Sequence, residues 1–200
     1  MVVIGVTGPS GAGKGTVSRC FASLGVPVID ADAVYHRLLL PPSPCLLALT
    51  EAFGEHILNA DGTLNRPELA KLVFSSPDAL ERLNAISHRF VMENIRRMLE
   101  QWRKEEVPVC VLDAPQLFEA GADRDCDVIV SVLADQKLRL ERIVARDRIS
   151  PERAMERIRA QKSDDYFRAH ADYVIENNGS EGCILPQVQQ ILAKTGGGAL

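Results

Sequence analysis

The sequence predicts an α/β fold built on a five-stranded parallel sheet. Short apolar segments bounded by turn residues recur along the chain, and most are continuously apolar, as strands buried on both faces of a parallel sheet are. Helical patterns separate them, the clearest over Pro77–Trp102, where apolar residues return to one face. Such alternation of strands and helices is typical of the α/β class. The predicted strands are Val2–Thr7, Val26–Ile29, Val107–Leu112, Asp127–Leu133 and Tyr173–Ile175.

A long stretch between the second and third strands interrupts this alternation. It holds helical patterns without a convincing strand, and Asn65 is predicted to cap a helix through Leu69–Phe74. We therefore predict an inserted helical subdomain over residues 36–104 and a core formed by 1–35 and 105–194. The glycine-rich end, 195–200, is predicted to be disordered.

Composition excludes several classes of protein. The 23 basic and 27 acidic residues give a net charge of −4, which argues against coating nucleic acid or an anionic membrane through bulk charge. The five cysteines are scattered without a C-x-x-C pair, so neither a disulfide framework nor a zinc site is indicated. No segment approaches the roughly 18 apolar residues of a membrane span. A cytoplasmic location is the expectation.

A glycine-rich segment, Gly8–Thr16, follows the first strand and leads into a helix, the context of a phosphate-binding loop. Glycines let several N–H groups point at one anion, and the helix N-terminus adds partial positive charge. The alternative is an ordinary glycine-rich turn. The candidate ATP-binding residues here are Gly11, Ala12, Gly13, Lys14, Gly15 and Thr16, with the Lys14 ammonium directed at the phosphates.

The loop departs from the strict pattern at one position. Ser or Thr normally follows the lysine and meets Mg²⁺, whereas Gly15 stands here and the next hydroxyl belongs to Thr16. The metal contact is therefore expected from Thr16, directly or through water. The chain also lacks Asn-Lys-x-Asp and a D-x-x-G switch motif, and these absences favour ATP over GTP.

Carboxylates follow two of the predicted strands. Asp30 and Asp32 come after the second strand and Asp113 after the third, so all three are expected at the edge that carries the phosphate loop. Phosphoryl transfer uses such groups to hold Mg²⁺ and to orient or deprotonate the acceptor hydroxyl. The structural alternatives are helix capping for Asp32 and turn formation for Asp113.

Residues 137–168 are predicted to form a helical lid. They hold ten basic and six acidic side chains, a net charge of +4, which leaves −8 for the rest of the chain. Arg139, Arg142 and Arg146 share one helix face, although a solvated charged face is the simpler interpretation for most of these arginines. Only Arg142 and Arg146 are taken as candidates for phosphate contacts.

Several ordered motifs over residues 2–193 resemble those of the dephospho-CoA kinases, which are P-loop kinases. The chain departs from the family pattern at Gly15, at Arg89 after His88 and at Gln116. The motifs that carry the resemblance are Ile29-Asp30-Ala31-Asp32 with Arg37, Phe53-Gly54, Asp61-Gly62, Leu64-x-Arg66, His88, Leu112-Asp113-x-Pro115-x-Leu117-Phe118-Glu119, Arg157-Ile158-x-x-Gln161 and Ala171-Asp172-x-Val174-Ile175-x-Asn177-x-Gly179.

The resemblance implies transfer of phosphate from ATP to the ribose 3′-hydroxyl of dephospho-CoA, with Mg²⁺ and without nucleic-acid or membrane partners, by a chain expected to be a monomer. Asp32 is implied as base, Lys14 and Arg142 as catalytic phosphate contacts, and Asn177 as a residue near adenine. The implied acceptor-binding residues are Asp32, Arg37, Arg66, His88, Asp113 and Leu117, and Thr16 and Asp113 are implied on the Mg²⁺ side.

Two other functions stay open from the residues alone. The Gly-Pro-Ser-Gly-Ala-Gly-Lys-Gly-Thr loop is also typical of cytidylate kinases, so a nucleoside monophosphate kinase is the alternative enzyme. A nucleotide-controlled binding module would bind ATP without acceptor-dependent turnover. Flanked by Ile86 and Phe90 on its helix, His88 would by itself be interpreted as a structural histidine, and only the family resemblance implies a contact with the acceptor.

Overall fold

The structure is a computed structural model that describes residues 1–179 and 183–196. The chain separates into two compact units, one formed by Met1–Asp30 together with the chain from Trp102 onward, and the other by Ala31–Gln101. The sequence placed these divisions after residues 35 and 104. Of the end predicted to be disordered, 197–200 lie outside the described residues, and the Thr195 hydroxyl donates to the Ile191 carbonyl at 3.0 Å.

The first unit is built on a parallel sheet. Within the described residues its five strands lie in the order β2-β3-β1-β4-β5, and every neighbouring pair is parallel, which confirms the predicted α/β fold. The strands are β1 (Val2–Thr7), β2 (Val28–Asp30), β3 (Val109–Asp113), β4 (Val128–Leu133) and β5 (Tyr173–Glu176).

The second strand begins two residues later than predicted. The Val26 amide donates to the Phe21 carbonyl at 3.2 Å and so closes the turn that precedes the strand. Pro27 has no amide hydrogen to donate to a neighbouring strand. Regular pairing therefore starts at Val28, opposite Val111.

The helices of the described chain are α1 (Lys14–Ser23), α2 (Ala31–Leu38), α3 (Pro44–Phe53), α4 (Arg66–Ser75), α5 (Pro77–Lys104), α6 (Gln136–Asp147), α7 (Pro151–Arg159), α8 (Asp164–Ala169) and α9 (Ile184–Lys194). The long helix predicted from periodicity is α5, which extends two residues beyond Trp102. None of the helices in 1–179 and 183–196 combines the length and apolar character needed to span a lipid bilayer.

A continuous apolar core holds the first unit together. Strands β1, β3 and β4 contribute fully buried side chains such as Ile4, Val111 and Val130. Phe21 of α1 and Val188 of α9 pack into the same core. The polar ends of the strands are thereby held at one edge of a rigid sheet, where Asp30 and Asp113 are register partners on neighbouring strands.

The predicted lid region contains α6, α7 and α8. Helices α6 and α7 share a small apolar core of their own, made by Ile143, Ala154 and Ile158. Arg148, with φ 53°, makes the turn between them. Ser150 then caps α7 by accepting the Arg153 amide at 3.4 Å, as its Ser-Pro-Glu sequence favours.

The second unit is helical and contains α2 to α4 and most of α5. Its core includes the buried side chains of Leu49, Ile57 and Leu69. Asn65 accepts the Glu68 amide at 3.2 Å and starts α4, which confirms the predicted cap. Within residues 31–101, all of which the structure describes, the one strand-like pairing is an isolated antiparallel bridge between Leu58 and Leu64.

Candidate active site

The loop between β1 and α1 requires glycine at Gly13. This residue precedes α1 with φ 98°, a conformation that side chains other than glycine rarely adopt. A Cβ atom there would lie 2.1 Å from Asn177 Nδ2. The close approach lets Asn177 donate to the Ala12 carbonyl at 2.7 Å, so the backbone of the loop is pinned to the chain after β5.

Lys14 closes the loop from within. It is the first residue of α1, and its ammonium donates to the carbonyls of Gly8 at 2.8 Å and Pro9 at 3.4 Å. The positive charge therefore lies at the N-terminus of α1, where the helix dipole adds partial positive charge. Both features attract an anion such as a phosphate.

Arg142 holds the loop rather than extending away from it. One of its nitrogens, Nη1, donates to the carbonyls of Gly11 at 3.2 Å and Ala12 at 3.4 Å, while Nη2 donates to the Asn177 carbonyl at 3.0 Å. The Ala12 amide, which lies between these two carbonyls, donates to the Pro9 carbonyl at 3.2 Å, so the loop is also closed by its own backbone. The structure thus brings together Gly11, Ala12, Arg142 and Asn177, all of which the sequence predicted at this site.

Arg139 is a residue of the site that sequence reasoning missed. It is 4% exposed, and its Nε donates to the Ser10 carbonyl at 3.1 Å. Its Nη1 forms an ion pair with Asp164 Oδ1 at 2.9 Å. Burial lowers the pKa of the guanidinium and the Asp164 charge opposes that shift. The helix-face spacing with Arg142 was the signal in the sequence, but it could not distinguish a buried arginine from a solvated one.

Gln161 holds Ser10 together with Arg139. Its Oε1 atom accepts from the Ser10 amide at 2.9 Å and from Arg139 Nη2 at 3.4 Å. Ser10 is therefore held through its amide by Gln161 and through its carbonyl by Arg139. The tip of the loop is fixed by residues that lie before α8 and on α6.

Arg146 reaches the same residue more loosely. Its Nη2 lies 3.5 Å from Ser10 Oγ, and its guanidinium forms two hydrogen bonds, at 2.7 and 2.9 Å, with Asp147. Arg157 also pairs with Asp147. The hydrogen bond from Arg146, reinforced by the charges of both arginines, lowers the pKa of Asp147 to about 2. Arg146 thus lies beside the loop with a carboxylate that stays ionised at neutral pH.

Carboxylates and hydroxyls meet at the edge of the sheet. Asp30 and Asp113 are register partners, and Ser18 Oγ of α1 donates to Asp113 Oδ2 at 2.6 Å. The Thr16 hydroxyl oxygen accepts from Arg19 Nη2 at 3.0 Å. Gly15 is exposed and contributes no side chain.

This donor set fits a divalent cation that arrives with a nucleotide. In the part of the chain that the structure describes, no group of three or more His, Cys, Asp or Glu residues is arranged to hold a metal ion. Mg²⁺ bound with a nucleotide takes most ligands from phosphate oxygens and water and needs one or two carboxylates. Asp30 and Asp113 provide that chemistry beside the phosphate loop.

The second unit carries the remaining polar candidates. Asp32 lies in the first turn of α2, two residues after β2, and Arg37 lies in its last turn; both are exposed. Arg66 begins α4, and His88 is a half-buried residue of α5.

Tyr35 and Ser87 form a polar pair within that unit. The Ser87 hydroxyl lies 3.5 Å from Tyr35 Oη. Burial raises the pKa of Tyr35, and the hydrogen bond from Ser87 and the Arg66 charge both oppose the shift. Ser87 directly precedes His88 in the chain.

Leu117, a predicted acceptor contact, is fully buried in the first unit. Its Cδ2 atom lies 3.2 Å from the position that a Cβ on Gly5 would occupy. Glycine at position 5 of β1 therefore makes room for the Leu117 side chain. In this structure Leu117 packs the segment after β3 against the sheet.

Comparisons with known proteins agree with this geometry over almost the whole chain. The family model for dephospho-CoA kinase matches residues 2–182. A dephospho-CoA kinase from Corynebacterium diphtheriae is 43% identical over 180 residues, which cover 90% of this chain and 90% of that protein. The crystal structure of TT1252 from Thermus thermophilus is 34% identical with a TM-score of 0.79, covering 96% of this chain and 97% of the other.

The fold alone is shared more widely. Shikimate kinase from Acinetobacter baumannii, solved with shikimate, is 19% identical with a TM-score of 0.56 and covers 100% of this chain and 96% of its own. Kinases of this P-loop fold generally use ATP with a divalent metal. The predicted P-loop kinase fold and the predicted enzyme class, a kinase that phosphorylates a hydroxyl group, are both confirmed, and the chain belongs to the dephospho-CoA kinase family.

Proposed function

We propose that this protein transfers the γ-phosphoryl group of ATP to the 3′-hydroxyl of dephospho-CoA, giving CoA and ADP. The observation that carries the proposal is the phosphate loop closed by Lys14 at the sheet edge that also bears Asp30 and Asp113, in a chain of this family. The acceptor oxygen forms a bond to the γ phosphorus, the bond from that phosphorus to the β,γ-bridging oxygen breaks, and ADP leaves.

The loop supplies positioning and electrostatic stabilisation. The backbone N–H groups at the start of α1 and the Lys14 ammonium are proposed to bind the β and γ phosphates of ATP. Arg142 is proposed to contact the phosphates during catalysis, in addition to holding the carbonyls of Gly11 and Ala12. Arg146 is proposed to contact ATP beside Ser10, and Asn177 to contact the nucleotide next to the loop that it pins.

Mg²⁺ is the proposed metal, held on the protein side by Asp113 and Thr16, directly or through water. When bound, it neutralises charge on the β and γ phosphate oxygens. Asp113 meets this role with an oriented carboxylate, because Ser18 donates to one of its oxygens.

Asp32 is the proposed general base. An ionised aspartate can accept the proton of the acceptor hydroxyl as the new bond to phosphorus forms. Arg37, Arg66 and His88 of the same unit are proposed to contact the acceptor. Its phosphate groups favour cationic partners of this kind.

The identity of the acceptor is tested by measuring ADP release from ATP in the presence of dephospho-CoA and, in parallel, of CMP, dCMP and AMP. We expect turnover with dephospho-CoA alone, and a product whose new phosphate is on the 3′-oxygen by phosphorus NMR. Efficient turnover of CMP or dCMP instead would identify a nucleoside monophosphate kinase. ATP binding without acceptor-dependent turnover would identify a binding module.

Arg139→Ala is expected to raise the Kd for ATP about tenfold or more. A hydrogen bond to a charged group contributes about 1.5–3 kcal/mol, and each 1.4 kcal/mol corresponds to about tenfold in affinity. Arg139 makes such bonds to Ser10 and Asp164, so its removal leaves the tip of the loop less fixed. Titration calorimetry with ATP measures the change.

The matched control is Arg153→Ala, which removes an exposed arginine of α7. It should leave the Kd for ATP unchanged, and neither variant should alter the KM for dephospho-CoA. Wild-type ATP affinity in Arg139→Ala would show that the hydrogen bond from Arg139 to the Ser10 carbonyl does not contribute to nucleotide binding.

A further inference from the structure

The hydroxyl that the strict phosphate-loop pattern places directly after the lysine is missing from this chain. Gly15 occupies that position at the start of α1. In the strict pattern this hydroxyl serves the Mg²⁺ ion at the phosphates. The chain therefore needs another group there if the metal site is to be equally well defined.

Ser18 presents a hydroxyl on the same helix face. It lies three residues after Gly15 and four after Lys14, and residues with these separations are neighbours on a helix surface. Its side chain is 6% exposed, and its Oγ donates to Asp113 Oδ2 at 2.6 Å. A short hydrogen bond to an ionised acceptor is among the stronger kinds in proteins. The Asp113 carboxylate is thereby held in one orientation.

Thr16 is differently engaged. Its hydroxyl oxygen accepts from Arg19 Nη2 at 3.0 Å, which uses one lone pair and brings a guanidinium charge close to that oxygen. A neighbouring cation disfavours direct coordination of a second cation by the same oxygen, so Thr16 is left to contact the metal through water.

We propose that Ser18 is a positioning residue that orients the Asp113 carboxylate toward the nucleotide-bound divalent cation and takes the place of the hydroxyl missing at position 15. The inference rests on the proposed function, since it assumes that Asp113 serves the metal. Ser18 itself acts through Asp113. Groups that orient metal ligands in this way typically change metal affinity by about 10–100-fold when they are removed.

The structure also offers a way to restore the missing group. A Cβ atom on Gly15 would meet only Arg19 Nη1, at 3.6 Å, within ordinary contact distance. Gly15 lies within α1, where serine is tolerated. Gly15→Ser therefore returns a hydroxyl to its position in the strict pattern, at a site where the backbone leaves room for a Cβ atom.

The test measures Mn²⁺ affinity by electron paramagnetic resonance on full-length protein saturated with a non-hydrolysable ATP analogue. Ser18→Ala is expected to weaken Mn²⁺ binding about 10–100-fold and to leave the Kd for the analogue in EDTA unchanged. Ser18→Thr keeps a hydroxyl and should retain most of the affinity. Ser18→Ala combined with Gly15→Ser should recover it. Thermal melting confirms that each variant is folded.

Two further variants give the test its controls. Ser23→Ala removes a hydroxyl of the same helix that donates to the Cys20 carbonyl, and it should bind Mn²⁺ as the wild type does. Asp113→Asn should weaken Mn²⁺ binding at least as much as Ser18→Ala.

The outcomes separate the inference from the proposed function. Wild-type Mn²⁺ affinity in Ser18→Ala, with a weakened Asp113→Asn, would overturn the role of Ser18 and leave that of Asp113 intact. Wild-type affinity in Asp113→Asn would overturn both. If Ser18→Ala binds Mn²⁺ weakly and the added Gly15→Ser does not restore the affinity, Ser18 does not take the place of the hydroxyl missing at position 15. That part of the inference would then be wrong.

Discussion

Lys14→Ala is expected to lower kcat by about 10²–10³-fold and to weaken ATP binding as well. Removing one preorganised donor that stabilises developing charge has an effect of this size in other enzymes. Lys14 also closes the loop through the carbonyls of Gly8 and Pro9, so its loss disturbs the ground state in addition to the transition state. Steady-state kinetics with dephospho-CoA and calorimetry with ATP measure the two effects.

The control for charge alone is Lys71→Ala, because Lys71 is an exposed lysine paired with Glu68 on α4. This variant should retain wild-type kcat and ATP affinity. If Lys14→Ala kept more than about half of the wild-type kcat/KM, which is well under 1 kcal/mol of transition-state stabilisation, the ammonium would have no catalytic role.

Asp32→Asn is expected to lower kcat by about 10²–10⁴-fold with little change in the Kd for ATP. General-base catalysis contributes a factor of this size, and an amide cannot accept the proton. The substitution preserves the size and shape of the side chain, so the loss of activity should be separable from any loss of structure. Single-turnover phosphoryl transfer with saturating ATP and dephospho-CoA isolates the chemical step.

Asp78→Asn distinguishes catalysis from a helix-end effect. Asp32 and Asp78 each lie in the first turn of a helix, α2 and α5, where a negative charge favours the helix by about 0.3–1 kcal/mol. Both variants should therefore lose a similar, small amount of stability in thermal melts, and only Asp32→Asn should lose activity. Equal activity in the two variants would reduce Asp32 to a structural residue.

The strands and the phosphate loop were predictable because their signals are local. Val2–Thr7 was predicted to the residue from a continuous apolar run, and Gly8–Thr16 from glycine spacing next to it. The start of β2 was wrong by two residues, since the Val26 amide bonds to α1 and not to a strand. Residue propensities do not indicate which carbonyl an amide will bond to.

The side chains that shape the loop were harder to predict because their partners are remote in sequence. Arg139 and Ser10 are separated by 129 positions, and Asn177 and Ala12 by 165. Helix periodicity placed Arg139 and Arg142 on one face, yet it could not show that both use their donors on loop carbonyls. Ser18 had no sequence signal at all, since one serine in a helix is an ordinary residue until Asp113 is found beside it.

The phosphate loop is held by residues that are synthesised later than the loop itself. Residues 8–16 are synthesised well before the groups that fix their carbonyls, Arg139, Arg142 and Asn177. Domains fold as units once enough of the chain has emerged. A nascent chain that stops before α6 thus carries the whole loop sequence without the groups that shape it. The loop can therefore take the shape described above only after α6 and the segment that follows β5 have been made.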